Sequence, residues 1–145
     1  MFDIRIERVI NKPISDVFDA LADHANYDRF RGIQESRLVE DGKTEKNGEG
    51  ALRYLDLGSV KFEERITRFQ RPTRLGYRIE KSSPLPFDHQ LGEINLTEDG
   101  DKTLVVWVSR GRIKLPLIGR LVFDPMFERQ GYKGFTSLLK QIEGL

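Results

Sequence analysis

Residues 60–67 read Val-Lys-Phe-Glu-Glu-Arg-Ile-Thr, and this stretch decides the fold of the chain. Successive side chains of a β-strand point to opposite faces, so one face of this strand is wholly polar. The other face is apolar except for Glu64. The stretch therefore predicts a half-buried strand that directs one carboxylate toward the core.

A partner for that carboxylate lies just upstream. Residues 50–57 (Gly-Ala-Leu-Arg-Tyr-Leu-Asp-Leu) alternate in the same way, and Gly58-Ser59 is a turn signal between the two runs. If the strands pair directly across this turn, Arg53 faces Glu64 on the inner side of the sheet. A buried charge is costly unless it is paired, so this register explains both residues. It predicts an interior with polar anchoring points, such as a ligand cavity.

The composition limits the class of protein. The 145 residues suit one domain, and 24 basic against 23 acidic residues leave a net charge of +1. This balance favours neither nucleic acid nor an anionic membrane as a partner. Cysteine is absent and there are two histidines, so we expect no metal site. No segment has the length and apolar character of a membrane span or the pattern of a signal peptide, so we expect a cytoplasmic protein.

Alternating apolar residues predict a sheet of about seven strands. The predicted strands cover residues 2–7, 36–40, 50–57, 60–69, 74–81, 89–97 and 103–113. The inward face of the last strand is ambiguous. Arg110 and Arg112 share a face with Val106, which favours Trp107 pointing inward.

Helical spacing of apolar residues predicts three helices. The first opens with Pro13 in its first turn and runs to about His24, and a second short helix covers residues 25–30. A long C-terminal helix is predicted over residues 125–143, with Asp124 as its N-cap. The helix contains Gly131 and Gly134, each of which costs about 1 kcal/mol relative to alanine.

Several segments together resemble a known superfamily. They are residues 13–24, 26–30, 47–53, 62–67, 75–79 and the strand with Val106-Trp107. Their text and order are similar to the START-like superfamily, also called SRPBCC, and within it to the polyketide cyclase/dehydratase-type branch. The resemblance covers nearly the whole chain.

The resemblance implies an α+β helix-grip fold over residues 1–145. In that fold a curved antiparallel sheet wraps around the long C-terminal helix and leaves a cavity between them. Members of the superfamily bind lipids, polyketides, hormones, quinones or other apolar molecules there. Some are enzymes, and others only carry or sense ligands.

Arg53 and Glu64 are the first candidate site residues. They either anchor a ligand carbonyl or carboxylate and move a proton, or form an ion pair that only sets the strand register. His89 follows a proline-rich loop and is either a general base or a surface histidine. His24 is expected on the surface at a helix end, where a cation is favourable. Residues 29–32 and 84–87 are candidate loops at the rim of the cavity.

The remaining candidates would line the cavity or the core. Gly131 and Gly134 either enlarge the cavity or allow close packing of helix on sheet. Tyr77 and Trp107 either donate hydrogen bonds to a ligand or are plain core aromatics. The full set of predicted ligand-binding residues is Arg53, Phe62, Glu64, Leu75, Tyr77, Trp107, Phe127, Gly131, Phe135 and Leu138.

Three hypotheses for function follow, none with a cofactor, since no nucleotide, nucleophile or metal motif is present. The first is binding of a small hydrophobic or amphipathic molecule such as a lipid, polyketide or quinone-like ligand, for which a cavity with an opening suffices. The second is a cyclase, dehydratase or aromatase, which needs two ionisable or hydroxyl groups converging on one point of the cavity. The third is a protein-partner or stress-response module with a vestigial cavity below about 300 Å³. For the oligomeric state, the sequence is compatible with a monomer and with a homodimer.

Overall fold

Seven strands form one antiparallel sheet. A computed structural model describes all residues, 1–145, and the order across the sheet is β1-β7-β6-β5-β4-β3-β2. The strands are β1 (Phe2–Ile10), β2 (Glu35–Glu40), β3 (Leu52–Asp56), β4 (Lys61–Gln70), β5 (Arg74–Ser83), β6 (Phe87–Asp99) and β7 (Lys102–Ile113). The predicted fold class and number of strands are confirmed.

Two α-helices complete the fold. Helix α1 (Ile14–Ala22) follows β1 and leads into a 3₁₀ helix (His24–Arg29). Helix α2 (Asp124–Glu143) is preceded by a π-helical turn (Gly119–Phe123) and lies against the inner face of the curved sheet. This is the helix-grip fold, and neither helix has a stretch apolar enough to cross a bilayer.

The turn between β3 and β4 has the predicted register. The Leu57 amide donates to the Val60 carbonyl at 2.9 Å, and Gly58 adopts φ +89°, a conformation that favours glycine. Arg53 consequently pairs with Glu64 across the two strands. The inward direction predicted for Trp107 is also confirmed, because its side chain is only 3% exposed and lines the interior.

Helix termini differ from the predictions. Helix α1 ends at Ala22 rather than His24, and Pro13 precedes its first residue with an extended backbone (ψ 148°). Asp124 is not an N-cap, because its backbone is already helical and its carboxylate accepts the Ile113 amide of β7 at 2.8 Å. The N-cap prediction is wrong because this carboxylate binds a distant strand end instead of its own helix.

The sheet opens between β5 and β6. These strands pair only from Arg74 to Tyr77, against Asn95 to Gly92, although both continue well beyond. In the open part the Ile79 amide, which has lost its ladder partner, donates instead to the side chain of His89 at 3.1 Å. The opening therefore places a histidine ring between two strands, beside the cavity described below.

Candidate functional site

A cavity of about 260 Å³ lies between the sheet and helix α2. Of its 21 lining residues, 12 are hydrophobic, so its wall is largely apolar. It opens to solvent at a mouth formed by five exposed lining residues. These mouth residues are Arg31, Gly32, Ser59, Gln130 and Gly134.

The polar end of the cavity is built around Arg53. Its Nε and Nη2 both donate to Oε1 of Glu64, at 2.9 and 2.8 Å, and the two side chains are 2% and 6% exposed. The guanidinium lies between two aromatic rings, 5.0 Å from the ring centre of Tyr27 and 5.2 Å from that of Tyr77. Burial lowers the pKa of Arg53, but the charge of Glu64 outweighs this and raises the pKa above its ordinary value. The group is a fixed cation.

His24 completes this cluster from the opposite side. Its Nε2 lies 2.8 Å from the Asn47 carbonyl, and its Nδ1 lies 3.2 Å from Nη1 of Arg53. A carbonyl can only accept, so the proton is on Nε2 and Nδ1 accepts from the arginine. Burial and the Arg53 charge lower the pKa of His24 to about 3. The expectation of a surface histidine is wrong, because the side chain is fully buried and positions Arg53.

Tyr77 and Trp107 form a second polar group on the cavity wall. The Trp107 indole N–H donates to the Tyr77 hydroxyl at 2.8 Å, so that oxygen acts as an acceptor. Burial, followed by the charge of Glu64, raises the pKa of Tyr77 and keeps its proton bound. Ser109 lies within hydrogen-bonding reach of the same hydroxyl and acts against the rise in its pKa. The Tyr77 hydroxyl lies at the cavity surface, where its proton is placed for donation to a ligand.

Two neighbours hold these aromatic rings in place. The ring of Tyr77 lies across Gly92 of β6, where a Cβ would be 2.7 Å from the ring. Phe135 of helix α2 stacks on Trp107 with ring centres 4.1 Å apart and an interplanar angle of 7°. Gly92 thus allows the tyrosine to reach the cavity, and Phe135 closes the cavity over the tryptophan.

His89 lies behind the cavity wall rather than on it. Its Nδ1 accepts the Ile79 amide, so Nε2 carries the proton and donates to Ser109 Oγ at 2.9 Å. Burial, followed by the charge of Arg78, lowers the pKa of His89 to about 4. The surface interpretation is wrong because the residue is 4% exposed. Both ring nitrogens are engaged with the protein, and only Ser109 reaches the cavity.

The two helix glycines play different parts. A Cβ on Gly131 would lie 2.5 Å from Cδ1 of Ile4, so this glycine allows α2 to approach β1 closely. A Cβ on Gly134 would meet nothing within 4 Å. The packing interpretation therefore suits Gly131, whereas Gly134 keeps the mouth of the cavity open.

The structure brings together most of the predicted site residues. Nine of the ten predicted ligand-binding residues line the cavity, and the tenth, Leu75, does not. Leu75 is on the same face of β5 as Tyr77, but it lies further from the mouth and pairs with Phe69 and Ile94. Of the two predicted rim loops, residues 31–32 line the mouth and residues 84–87 do not.

Sequence reasoning missed several residues of the site. Tyr27 and Ser109 line the cavity, and Gly92 supports it from behind. Gly92 is an isolated glycine within a strand pattern, which is a known sign of close approach and offered the one usable signal. Nowhere do three or more His, Cys, Asp or Glu side chains gather in a way that suits a metal ion.

Known structures share this architecture. A START superfamily protein from Mycobacterium smegmatis has 15% identity and a TM-score of 0.80, covering 99% of this chain and 96% of that one. A Thermus thermophilus protein has 19% identity and a TM-score of 0.78, with 98% and 94% covered. The Zhui aromatase/cyclase of a Streptomyces species has 18% identity and a TM-score of 0.73, with 97% and 93% covered. At such identities these similarities establish the fold alone.

Comparison of the sequence with protein families identifies the family of this chain. No curated protein matches the chain. The model of a family described as polyketide cyclase / dehydrase and lipid transport matches residues 1–143. Because that match covers almost the entire chain, the protein belongs to the polyketide cyclase / dehydrase and lipid transport family.

Proposed function

We propose that this protein binds a small, largely apolar molecule that carries a hydroxyl or keto oxygen. The observation that carries the proposal is the distribution of polarity in the cavity. The wall is mostly apolar, while Arg53, Glu64 and Tyr77 contribute polar groups to the lining. Ligand sites commonly combine an apolar lining with a few placed polar groups.

The Tyr77 hydroxyl and the Glu64 carboxylate determine which polar group a ligand needs. Tyr77 presents a hydroxyl proton, so it favours a ligand oxygen that accepts a hydrogen bond. Glu64 uses only Oε1 to bind Arg53, which leaves Oε2 as an acceptor for a ligand O–H. A hydroxyl group on the ligand satisfies both residues, and a ketone satisfies Tyr77 alone.

The cavity volume restricts the size of the ligand. The cavity volume of about 260 Å³ is below the limit of about 300 Å³ expected of a vestigial cavity. That limit is also the lower end of the usual range of ligand pockets. We favour binding over a vestigial cavity because the site has a solvent-accessible mouth and hydrogen-bonding groups left free. A ligand with one or two rings suits this volume.

A titration with three naphthalenes tests the proposal. Trp107 is the only tryptophan, so one indole N–H signal in a ¹⁵N–¹H NMR spectrum reports on the cavity wall. We expect 2-naphthol to bind most tightly, 2-methoxynaphthalene less tightly and naphthalene least. Each step in this order should be about fivefold, the value of one net hydrogen bond.

The control variants separate the polar groups from general loss of structure. Tyr77→Phe should remove the advantage of 2-methoxynaphthalene over naphthalene. Tyr54→Phe, on the half-exposed face of β3, should leave all three affinities unchanged. Absence of any Trp107 shift with all three compounds would contradict the proposal.

Catalysis is a second candidate, favoured by the convergence of Tyr77 and Glu64 on one cavity. In a cyclase or aromatase acting on a poly-β-keto chain, the Tyr77 hydroxyl would polarise a carbonyl oxygen. Glu64 Oε2 would take the proton from the carbon between two carbonyls. Arg53 then positions Glu64, since it binds that carboxylate through Nε and Nη2. Turnover of a short poly-β-ketone to an aromatic product, lost in Glu64→Gln but kept in Glu63→Gln, would establish this activity.

A further inference from the structure

An exposed apolar patch precedes helix α2. Its members are Leu117, Ile118, Leu121 and Val122, which are 68%, 54%, 65% and 53% exposed. The four residues occupy two successive pairs, four positions apart, so they fall on one side of the turn that leads into the helix. A contiguous apolar patch on a protein surface commonly marks an interaction site.

The backbone of this segment holds the patch outward. Leu117 has φ +62°, in the left-handed region that residues with a branched side chain rarely adopt. The following residues, Gly119–Phe123, form a π-helical turn, and Gly119 packs so tightly that a Cβ would lie 2.1 Å from the Ile113 carbonyl oxygen. Unfavourable backbone of this kind persists only where the surrounding structure imposes it, and such positions cluster at functional sites.

The unpaired charges beside the patch are positive. No acidic residue occurs between Asp101 and Asp124, and Asp124 is buried. Lys114 and Arg120 are exposed and join no ion pair, whereas Arg112 nearby is held by Asp88 at 3.0 Å. The net charge of +1 conceals this local excess, because acids elsewhere in the chain balance it.

We propose that this end of the molecule docks on an anionic lipid bilayer. The four apolar side chains enter the interfacial region, while Lys114 and Arg120 contact lipid phosphates. A second copy of the chain suits the patch less well. A symmetric dimer brings identical surfaces together and would set these unpaired cations against each other.

The docked orientation has a consequence for the cavity. Strand pairing places Ile113 beside Phe87, and Lys61 beside Ser83. The β3–β4 turn, which borders the mouth with Ser59, therefore lies at the same end of the sheet as the patch. A docked protein holds its cavity mouth near the lipid, although docking itself does not depend on the proposed ligand.

Vesicle co-sedimentation tests the docking surface. We expect the protein to sediment with phosphatidylcholine vesicles that contain about one third phosphatidylserine, and not with phosphatidylcholine alone. High salt should release it, because lipid-surface attraction is screened. Lys114→Glu with Arg120→Glu should weaken binding by at least about 30-fold, and Leu121→Asp by about tenfold.

A matched variant and an oligomer measurement complete the test. Val39→Asp changes another exposed apolar residue, on the edge strand β2, and should leave vesicle binding unchanged. Equal binding by the wild type and Leu121→Asp would overturn the proposal, as would no binding to anionic vesicles. A concentration-dependent dimer in analytical ultracentrifugation that Leu121→Asp abolishes would also overturn it, by assigning the patch to self-association.

Discussion

Arg53 shows how a single charged residue can be accommodated in an apolar interior. Its guanidinium is covered by two tyrosine rings, its charge is neutralised by Glu64, and three of its five N–H groups are bonded to Glu64 and His24. The neutral state of His24 is part of this arrangement, because a histidine cation beside Arg53 would be repelled. The residue therefore depends on partners from three separate parts of the chain.

Removing one member of this cluster should be costly. Arg53→Met leaves the Glu64 carboxylate buried and unpaired, and we expect a loss of about 3–5 kcal/mol in the free energy of unfolding. The measurement is urea denaturation followed by Trp107 fluorescence. Arg53→Met combined with Glu64→Leu should recover much of the loss, since no charge is left without a partner.

Arg65, on the outer face of the same strand pair, provides the matched control. It binds Glu80 and Glu40 with its side chain 26% exposed. Surface ion pairs contribute about 0–1 kcal/mol, so Arg65→Met should have a correspondingly small effect. Equal losses in Arg53→Met and Arg65→Met would mean that the inner pair is not buried from water.

At the scale of the element, helix α2 packs against strand β1 and against the sheet at Trp107. Gly131 lets it contact β1, Phe135 stacks over the sheet at Trp107, and Gly134 leaves the mouth open. Two glycines within one helix weaken it intrinsically. The close approach offsets that cost at Gly131, but no packing does so at Gly134.

Alanine at these two glycines should therefore have different effects. Gly134→Ala should stabilise the protein by about 0.5–1 kcal/mol, because the new methyl meets open space and helix propensity rises. Gly131→Ala should be less stable than Gly134→Ala by at least about 1 kcal/mol, because Ile4 has to move. Thermal unfolding of the two variants measures the difference, and identical stabilities would argue against close packing at Gly131.

At the scale of the whole molecule, two buried histidines link folding to pH. His24 lies beside β3 and His89 in the opening between β5 and β6. Burial, the largest cause in each case, lowers their pKa values to about 3 and about 4. Both rings are neutral in the folded protein near neutral pH, and both would be protonated more readily in the unfolded chain.

Stability should consequently fall as the solution becomes acidic. An unfolded histidine has a pKa of about 6.5, so below that value the unfolded chain binds protons that the folded protein does not. The stability present above about pH 6.5 is lost as the pH falls toward about 4, by up to about 1.4 kcal/mol per pH unit for each histidine. Urea denaturation at pH 7.5, 6.5 and 5 measures the slope, and pH 5 lies above the carboxylate range. In the His89→Gln variant, stability should change with pH at about half the slope of the wild type. An unchanged slope would contradict the assignment of part of the pH dependence to His89.

Local patterns were sufficient for much of this fold. The alternation of residues 50–57 and 60–67 about the Gly58-Ser59 turn determined the strand register, and with it the Arg53–Glu64 pair. A hairpin with so short a turn has few registers, and a shift by one residue would expose the apolar face. The same kind of local information predicted the sheet and the long helix, and the predicted ligand-binding residues include nine of the 21 that line the cavity.

Tertiary structure alone decided the remaining features. His24 and Arg53 are 29 residues apart, and His89 bonds Ser109 across 20 residues, so no local pattern records that the histidines are buried and neutral. Asp124 was misassigned because a strand end competes with the helix for its carboxylate. Periodicity shows which face of an element is buried, whereas the neighbour that packs there depends on how distant elements meet. The cavity, its free hydrogen-bonding groups and the exposed patch before α2 all arise at that level.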